Sequence, residues 1–238
     1  MGSLKTLLWE VDAQVDFMLP DGKLYVSGAE KIIPNLNRLI EAARQGRAFL
    51  ISSADAHKPD DPEFREWPPH CMKGTPGAEL LLEAKALRHL IIPNQHAFAL
   101  PSDLSTYQQV ILEKNTLDVF DNPNTDALLA RLNPTGSAAC HPDPEFAVFG
   151  VVTEYCVRCA ADGLLRRGRR VNLVKDAIRA LDQKKGCEIL DELQSRGARL
   201  ITTEQALALV GRTALGTADG EHQRAIRRSK SGTQLPGR

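Results

Sequence analysis

The chain has 238 residues, 42% of them apolar, with 30 Lys and Arg against 30 Asp and Glu and a formal net charge of zero. That length suffices for one α/β domain with a sizeable core, and the balanced charge creates no field favouring nucleic acid or an anionic membrane over a small neutral ligand. No apolar run approaches the roughly 20 residues of a membrane helix, and Leu7 to Val11 is too short for a signal-peptide core, so a cytoplasmic protein is expected, its five cysteines free thiols rather than a disulfide framework.

In chain order, Thr6 to Val11 is a β-rich run, and Ala29 to Gln45 carries apolar residues at helical spacing. A second strand is predicted over Ala48 to Ser52. The stretch from Ala54 to Tyr107 is too long for a plain connection; it is expected to hold one short helix around Ala78 to Leu87 and to wall a site. Strand Gln109 to Glu113, helix Thr125 to Leu132, strand Phe146 to Val152 and helix Glu154 to Arg167 follow, then strand Val171 to Val174, helix Lys184 to Arg196 and strand Arg199 to Thr202. Gly46, Gly168 and Gly197 stand where helices stop. This alternation predicts a three-layer α/β/α fold over residues 1–210: a central parallel six-stranded sheet, Rossmann-like, covered by helices on both faces. Residues 211–238 are polar, with Arg227, Arg228 and Lys230 close together, and are expected to form a tail, mobile or in contact with another copy.

Ligands in such sheets sit beyond the carboxyl ends of the strands, where this chain carries Asp12, Asp55 with His57, Lys114 and Cys156. Thr153 offers an N-cap, which puts Cys156 in the first turn of a helix, where free N–H groups and the helix dipole favour a thiolate. A lone cysteine there reads more readily as an inert buried thiol. Asp12 and Lys114 add a carboxylate to take the thiol proton and a cation to favour the anionic forms, although an ordinary buried ion pair would look the same. In Asp55-Ala56-His57, residues two apart face one way and can reach one metal, with His70 closing the set from the loop. Zinc, ferrous iron and manganese all suit these residue types; solvated loop histidines are the alternative.

Two readings from other classes explain less. Cys156-Val157-Arg158-Cys159 is a C-x-x-C at a helix start, as in thiol-disulfide oxidoreductases, but that function leaves Asp12, Lys114 and the Asp-His-His group idle. The turn from Asp12 to Leu19 contains no glycine, so it lacks the phosphate cradle of nucleotide-binding modules.

At these residues the chain resembles the isochorismatase-like cysteine hydrolases of nicotinamidase type. The matching pieces are Val11-Asp12-Ala13-Gln14-Val15-Asp16-Phe17, Asp55-Ala56-His57, Trp67-Pro68-Pro69-His70-Cys71 running on through Gly74 to Ala78, Lys114, and Gly150 to Val157, in the family's order. The resemblance implies Asp12, Lys114 and Cys156 as a catalytic triad, and Asp55, His57 and His70 as ligands of a divalent metal, zinc before iron or manganese, that holds a pyridine nitrogen. It also implies a non-proline cis peptide between Val151 and Val152 that aims backbone N–H groups, including those of Val152 and Cys156, at an oxyanion. Phe17 and Trp67 match the family's aromatic pocket walls, with Tyr155 beside them. The activity so implied is conversion of nicotinamide to nicotinate and ammonia, or of another small amide or ureido compound; the Asp-His-His group argues against isochorismate itself. The expected partners are a small amide and further copies of the chain. Two departures stand out: Asn115 to Phe120 replaces a serine-rich stretch after the lysine, and Asp60, Asp61 and Glu63 replace a further histidine, so that water would complete the coordination.

Overall fold

The structure, a computed structural model, describes residues 6–132 and 144–210. Runs of Leu, Ile, Val, Phe and Ala too apolar to face water on either side become the inner strands of a sheet covered on both faces. These are β1 (Thr6–Val11), β2 (Phe49–Asp55), β4 (Gln109–Lys114), β5 (Glu145–Val151) and β6 (Arg170–Arg179). Shorter strands β3 (His89–Ile92) and β7 (Arg199–Ile201) form the two edges. The seven strands run parallel in the order β3-β4-β2-β1-β5-β6-β7. Helices α2 (Ile33–Arg44), α4 (Arg158–Arg166) and α5 (Gln183–Ser195) pack on the sheet; α1 (Val15–Met18) follows β1, and α3 (Thr125–Leu132) precedes β5. All six residues of β1 are buried, and Trp9 stacks on Phe120 with ring centroids 5.9 Å apart. No helix among the described residues is long and apolar enough to cross a membrane.

The α/β class holds, but the sheet has seven strands rather than six. The added strand, β3, is a half-exposed edge with Ile91 open to solvent, so its residues lack the unbroken apolar signature of the inner strands. The helix expected around Ala78 to Leu87 is absent. Pro76 and Gly77 open a 3₁₀ turn over Pro76–Ala78, a second covers Leu82–Ala84, and Leu82 and Leu87 are exposed, so their spacing marks no core-facing stripe. Strand β6 runs past the expected end at Val174 because Lys175 and Asp176 lie outward within it, and its pairing with β5 shifts register between Val148 and Gly150. The predicted helix from Ala29 begins as a 3₁₀ turn, Ala29–Ile32, ahead of α2. The proposed tail, 211–238, lies outside the described residues.

Candidate active site

The strand order brings the carboxyl ends of β4, β2, β1 and β5 side by side, and these ends carry Lys114, Asp55, Asp12 and the turn with Cys156. Asp55 and Lys114 are register partners on β2 and β4, so their approach is fixed by the ladder. Asp12 has left β1 in the left-handed conformation, φ 53°. Its Oδ1 accepts from Ser53 Oγ at 2.7 Å, and its Oδ2 forms an ion pair with Lys114 Nζ at 3.0 Å. The same ammonium donates to Asp55 Oδ1 and lies 3.6 Å from Cys156 Sγ. All four side chains are buried. The Val151–Val152 peptide is cis, as the resemblance implied. Behind it Gly150 sits at φ 123°, where any Cβ would lie closer than 3.0 Å to the Val11 carbonyl, so β5 reaches β1 this closely only with glycine.

Burial alone would discharge Lys114, but Asp12 and Asp55 outweigh it and hold the ammonium well above its usual range. Burial likewise pushes Asp12 up against the pull of Lys114, whereas for Asp55 the ammonium and His57 overcome burial and hold the carboxyl down. Burial drives the Cys156 thiol well above its ordinary value despite Lys114, so at rest it is neutral. Thr153 does not cap the turn. Thr153–Val157 is π-helical, follows Val152 without a side-chain cap, and directs the Tyr155 and Val157 amides to the Val152 carbonyl at 3.2 and 3.1 Å. A wide, buried turn gives the sulfur less dipole support than a regular helix start, so its proton must pass to a base. The Cys159 thiol is also raised by burial, unlike the low-pKa thiols of redox C-x-x-C motifs.

Next to this cluster, Asp55, His57 and His70 form the one group of three or more potential metal ligands among the described residues, their ligand atoms within 4.8 Å of one another. His57 Nε2 and His70 Nε2 lie 3.7 and 3.8 Å from Asp55 Oδ2. Each imidazole is turned by its other nitrogen: His57 Nδ1 lies 3.0 Å from Asp61 Oδ2, and His70 Nδ1 lies 2.8 Å from the Pro68 carbonyl. Donation through Nδ1 leaves the Nε2 lone pairs facing the carboxylate, the tautomer a metal needs. His57 Nε2 is buried without a hydrogen-bond partner, which fits a metal-ligand role.

The two groups meet in a cleft with about 290 Å³ of empty space, lined by Phe17, Leu24, Asp55, Glu63, Trp67, His70, Leu117, Val152, Tyr155, Cys156 and Leu181. All four residues expected at the substrate, Phe17, Trp67, Val152 and Tyr155, are on its wall. Phe17 meets His70 edge-on at 5.2 Å, and Trp67 meets Tyr155 at 5.4 Å. Four lining or supporting residues were not assigned to the site from the sequence. Asp61 orients His57, and its position four residues later was the available signal. Glu63, whose acid is raised mainly by burial, brings Oε1 to 3.9 Å from His70 Nε2. Glu154 accepts the Leu181 and Asp182 amides at 3.2 and 2.7 Å, fixing Leu181 against the cleft. Leu117 comes from the segment that departs from the serine-rich pattern.

Residues 6–205 match the Isochorismatase domain family. The nicotinamidase/pyrazinamidase of Mycobacterium tuberculosis (strain ATCC 25618 / H37Rv) is 26% identical over 200 residues, covering 80% of this chain and 95% of that protein. The pyrazinamidase of Pyrococcus horikoshii in complex with zinc superposes with a TM-score of 0.63 at 29% identity, over 83% of this chain and 99% of that one. The N-carbamoylsarcosine amidase of Thermoplasma acidophilum has a TM-score of 0.62 at 25% identity, over 84% and 97% of the two chains.

Proposed function

The chain belongs to the isochorismatase family, and on that premise we propose that it is a cysteine amidohydrolase that converts nicotinamide to nicotinate and ammonia. The observation that carries this reading is the buried Lys114 ammonium, paired with Asp12 and Asp55 and 3.6 Å from the Cys156 sulfur on the cleft wall. Asp12 takes the thiol proton as Sγ forms a bond to the carboxamide carbon. The proton then passes to the amide nitrogen, the C–N bond breaks and ammonia leaves a thioester. Water, deprotonated by Asp12, attacks that carbon; the C–S bond breaks, and Asp12 returns the proton to sulfur. Lys114 stays charged throughout and lowers the cost of each anionic form. Asp55, His57 and His70 would hold a divalent metal, zinc, iron or manganese, which when bound supplies a Lewis-acid site for the pyridine nitrogen. Phe17, Trp67 and Tyr155 wall the space for an aromatic ring, and Val152 borders the reacting carbon.

Similarity to the two pyrazinamidases supports the pyridine carboxamide, and the free thiols of Cys71, Cys156, Cys159 and Cys187 support a reducing, cytoplasmic setting. The likeness to N-carbamoylsarcosine amidase favours a second reading, a ureido or other small amide, which Leu117 on the cleft wall would select. Ammonia release from a panel of amides separates the two. Cys156→Ala is expected to abolish release while leaving the bound metal in place; undiminished turnover would sink the proposal.

A further inference from the structure

Glu10 is a fully buried acid in the central strand, and the mechanism above gives it no part. An apolar residue would be expected there, between Trp9 and Val11 and beside Phe149 of β5. Its Oε1 accepts the Ala13 amide at 2.5 Å, and Ser52 lies beside it as its register partner on β2. Ser52 is anchored in turn: its Oγ accepts from Gln109 Nε2 at 2.8 Å, while Gln109 Oε1 accepts the Ala86 amide at 2.7 Å. Ala13 is fully buried, so without Glu10 its amide would have no water to turn to. That amide belongs to the turn in which Asp12 takes its left-handed conformation, with the Gln14 amide donating back to the Asp12 carbonyl at 2.7 Å. A non-glycine residue holds such a conformation only where its surroundings impose it.

We infer that Glu10 is a positioning residue for Asp12: its carboxyl, buried beside Ser52, takes the Ala13 amide and locks the turn that delivers the Asp12 carboxylate to Ser53 and Lys114. The task needs an acceptor oxygen but no charge. Burial, far more than its other surroundings, pushes the Glu10 acid up to about 8, and the charge bearing on it is that of Asp12, which raises it further. The residue therefore works protonated at neutral pH, placing no second anion beside Asp12.

The inference rests on the reading of Asp12 as the base for Cys156, so the test measures that step without substrate. Alkylation of Cys156 by iodoacetamide is followed by peptide mass in the full chain from pH 6 to 9.5, in the native protein, Glu10→Gln and Glu10→Leu. Glutamine keeps a neutral acceptor for the Ala13 amide and is expected to alkylate at close to the native rate at pH 7. Leucine removes the acceptor and is expected to slow alkylation about a hundredfold, the loss typical of a misplacement near 1 Å. The native profile should also carry an inflection where Glu10 ionises, absent from Glu10→Gln. A leucine variant as reactive as the native chain, or a glutamine variant as slow as leucine, overturns the inference. Should Glu10→Leu fail to fold, the pH profiles decide: identical native and Glu10→Gln profiles overturn it. Native Cys156 inert at every pH would overturn this inference and the proposed nucleophile together.

Discussion

Replacing Glu10 by Gln is expected to stabilise the protein, and to do so only as the pH rises. The acid titrates near 4.5 when exposed and near 8 in the fold, mainly because burial penalises the anion. Between those values the unfolded chain releases the proton while the native protein keeps it. The native state therefore binds more protons, and unfolding free energy falls as pH rises through this window. At about 1.4 kcal/mol for each unit of pKa, the displacement removes on the order of 5 kcal/mol above pH 8, and roughly 3 kcal/mol at pH 7. Glutamine keeps the acceptor for Ala13 and has no proton to lose. Urea unfolding of both proteins at half-unit steps from pH 5 to 8, with chelator present in both, isolates this group in the difference between them. That difference is expected to grow by about 3 kcal/mol across the range in favour of Glu10→Gln. A difference that stays flat with pH would mean Glu10 ionises equally in both states, and the account of a buried neutral acid would fail.

Lys114→Met leaves Asp12 and Asp55 buried without their cation; chemical denaturation should show a loss of about 3–5 kcal/mol. Gly150→Ala puts a Cβ against the Val11 carbonyl at a left-handed φ, and thermal unfolding should register a loss of at least about 2 kcal/mol. Zinc at about a hundred times its dissociation constant should stabilise the native chain by about 2.7 kcal/mol but leave His57→Ala unchanged in the same denaturation experiment. Equal stabilisation of both would place the metal elsewhere.

How much of this could be read from the chain follows from where each residue sits. An inner parallel strand is an apolar run, and a charge that breaks the run marks its carboxyl end; Asp12 and Lys114 stand out for that reason. The same rule misleads at Lys175 and Asp176, which point outward inside β6, and it is silent at β3, whose edge position leaves it half exposed. Asp55 and His57 were legible through their spacing along an extended segment. Asp61 showed only its spacing of four from His57, and Glu63 was not legible, because the 3₁₀ turn Pro62–Arg65 that returns it to His70 has no periodic pattern. Glu10 breaks the apolar run of β1, but nothing local says what it does there, since its neighbours, Ser52 and the Ala13 amide, come from the pairing of β1 with β2 and from the turn after β1.

The two halves of the site differ in how tightly the fold controls them. Lys114 and Asp55 are tied by strand register, Asp12 by a turn braced from within the sheet, and Cys156 by the turn that directly follows β5. These groups cannot drift relative to one another without disturbing the ladder, so the proton-transfer geometry is as rigid as the core. The cleft walls come from elsewhere: Leu24, Glu63, Trp67 and Leu117 lie on connections, and Leu181 is held by Glu154 from the loop before α5. Substitutions on those segments can reshape the acceptable amide while leaving the chemistry in place. Glu63 and Leu117, which lie in the segments where the sequence departs from the pattern the resemblance implies, fall on that adjustable half. The choice between nicotinamide and another small amide is therefore a question about these walls, and exchanging Leu117 for Ser should shift the preference among amides without slowing Cys156 alkylation.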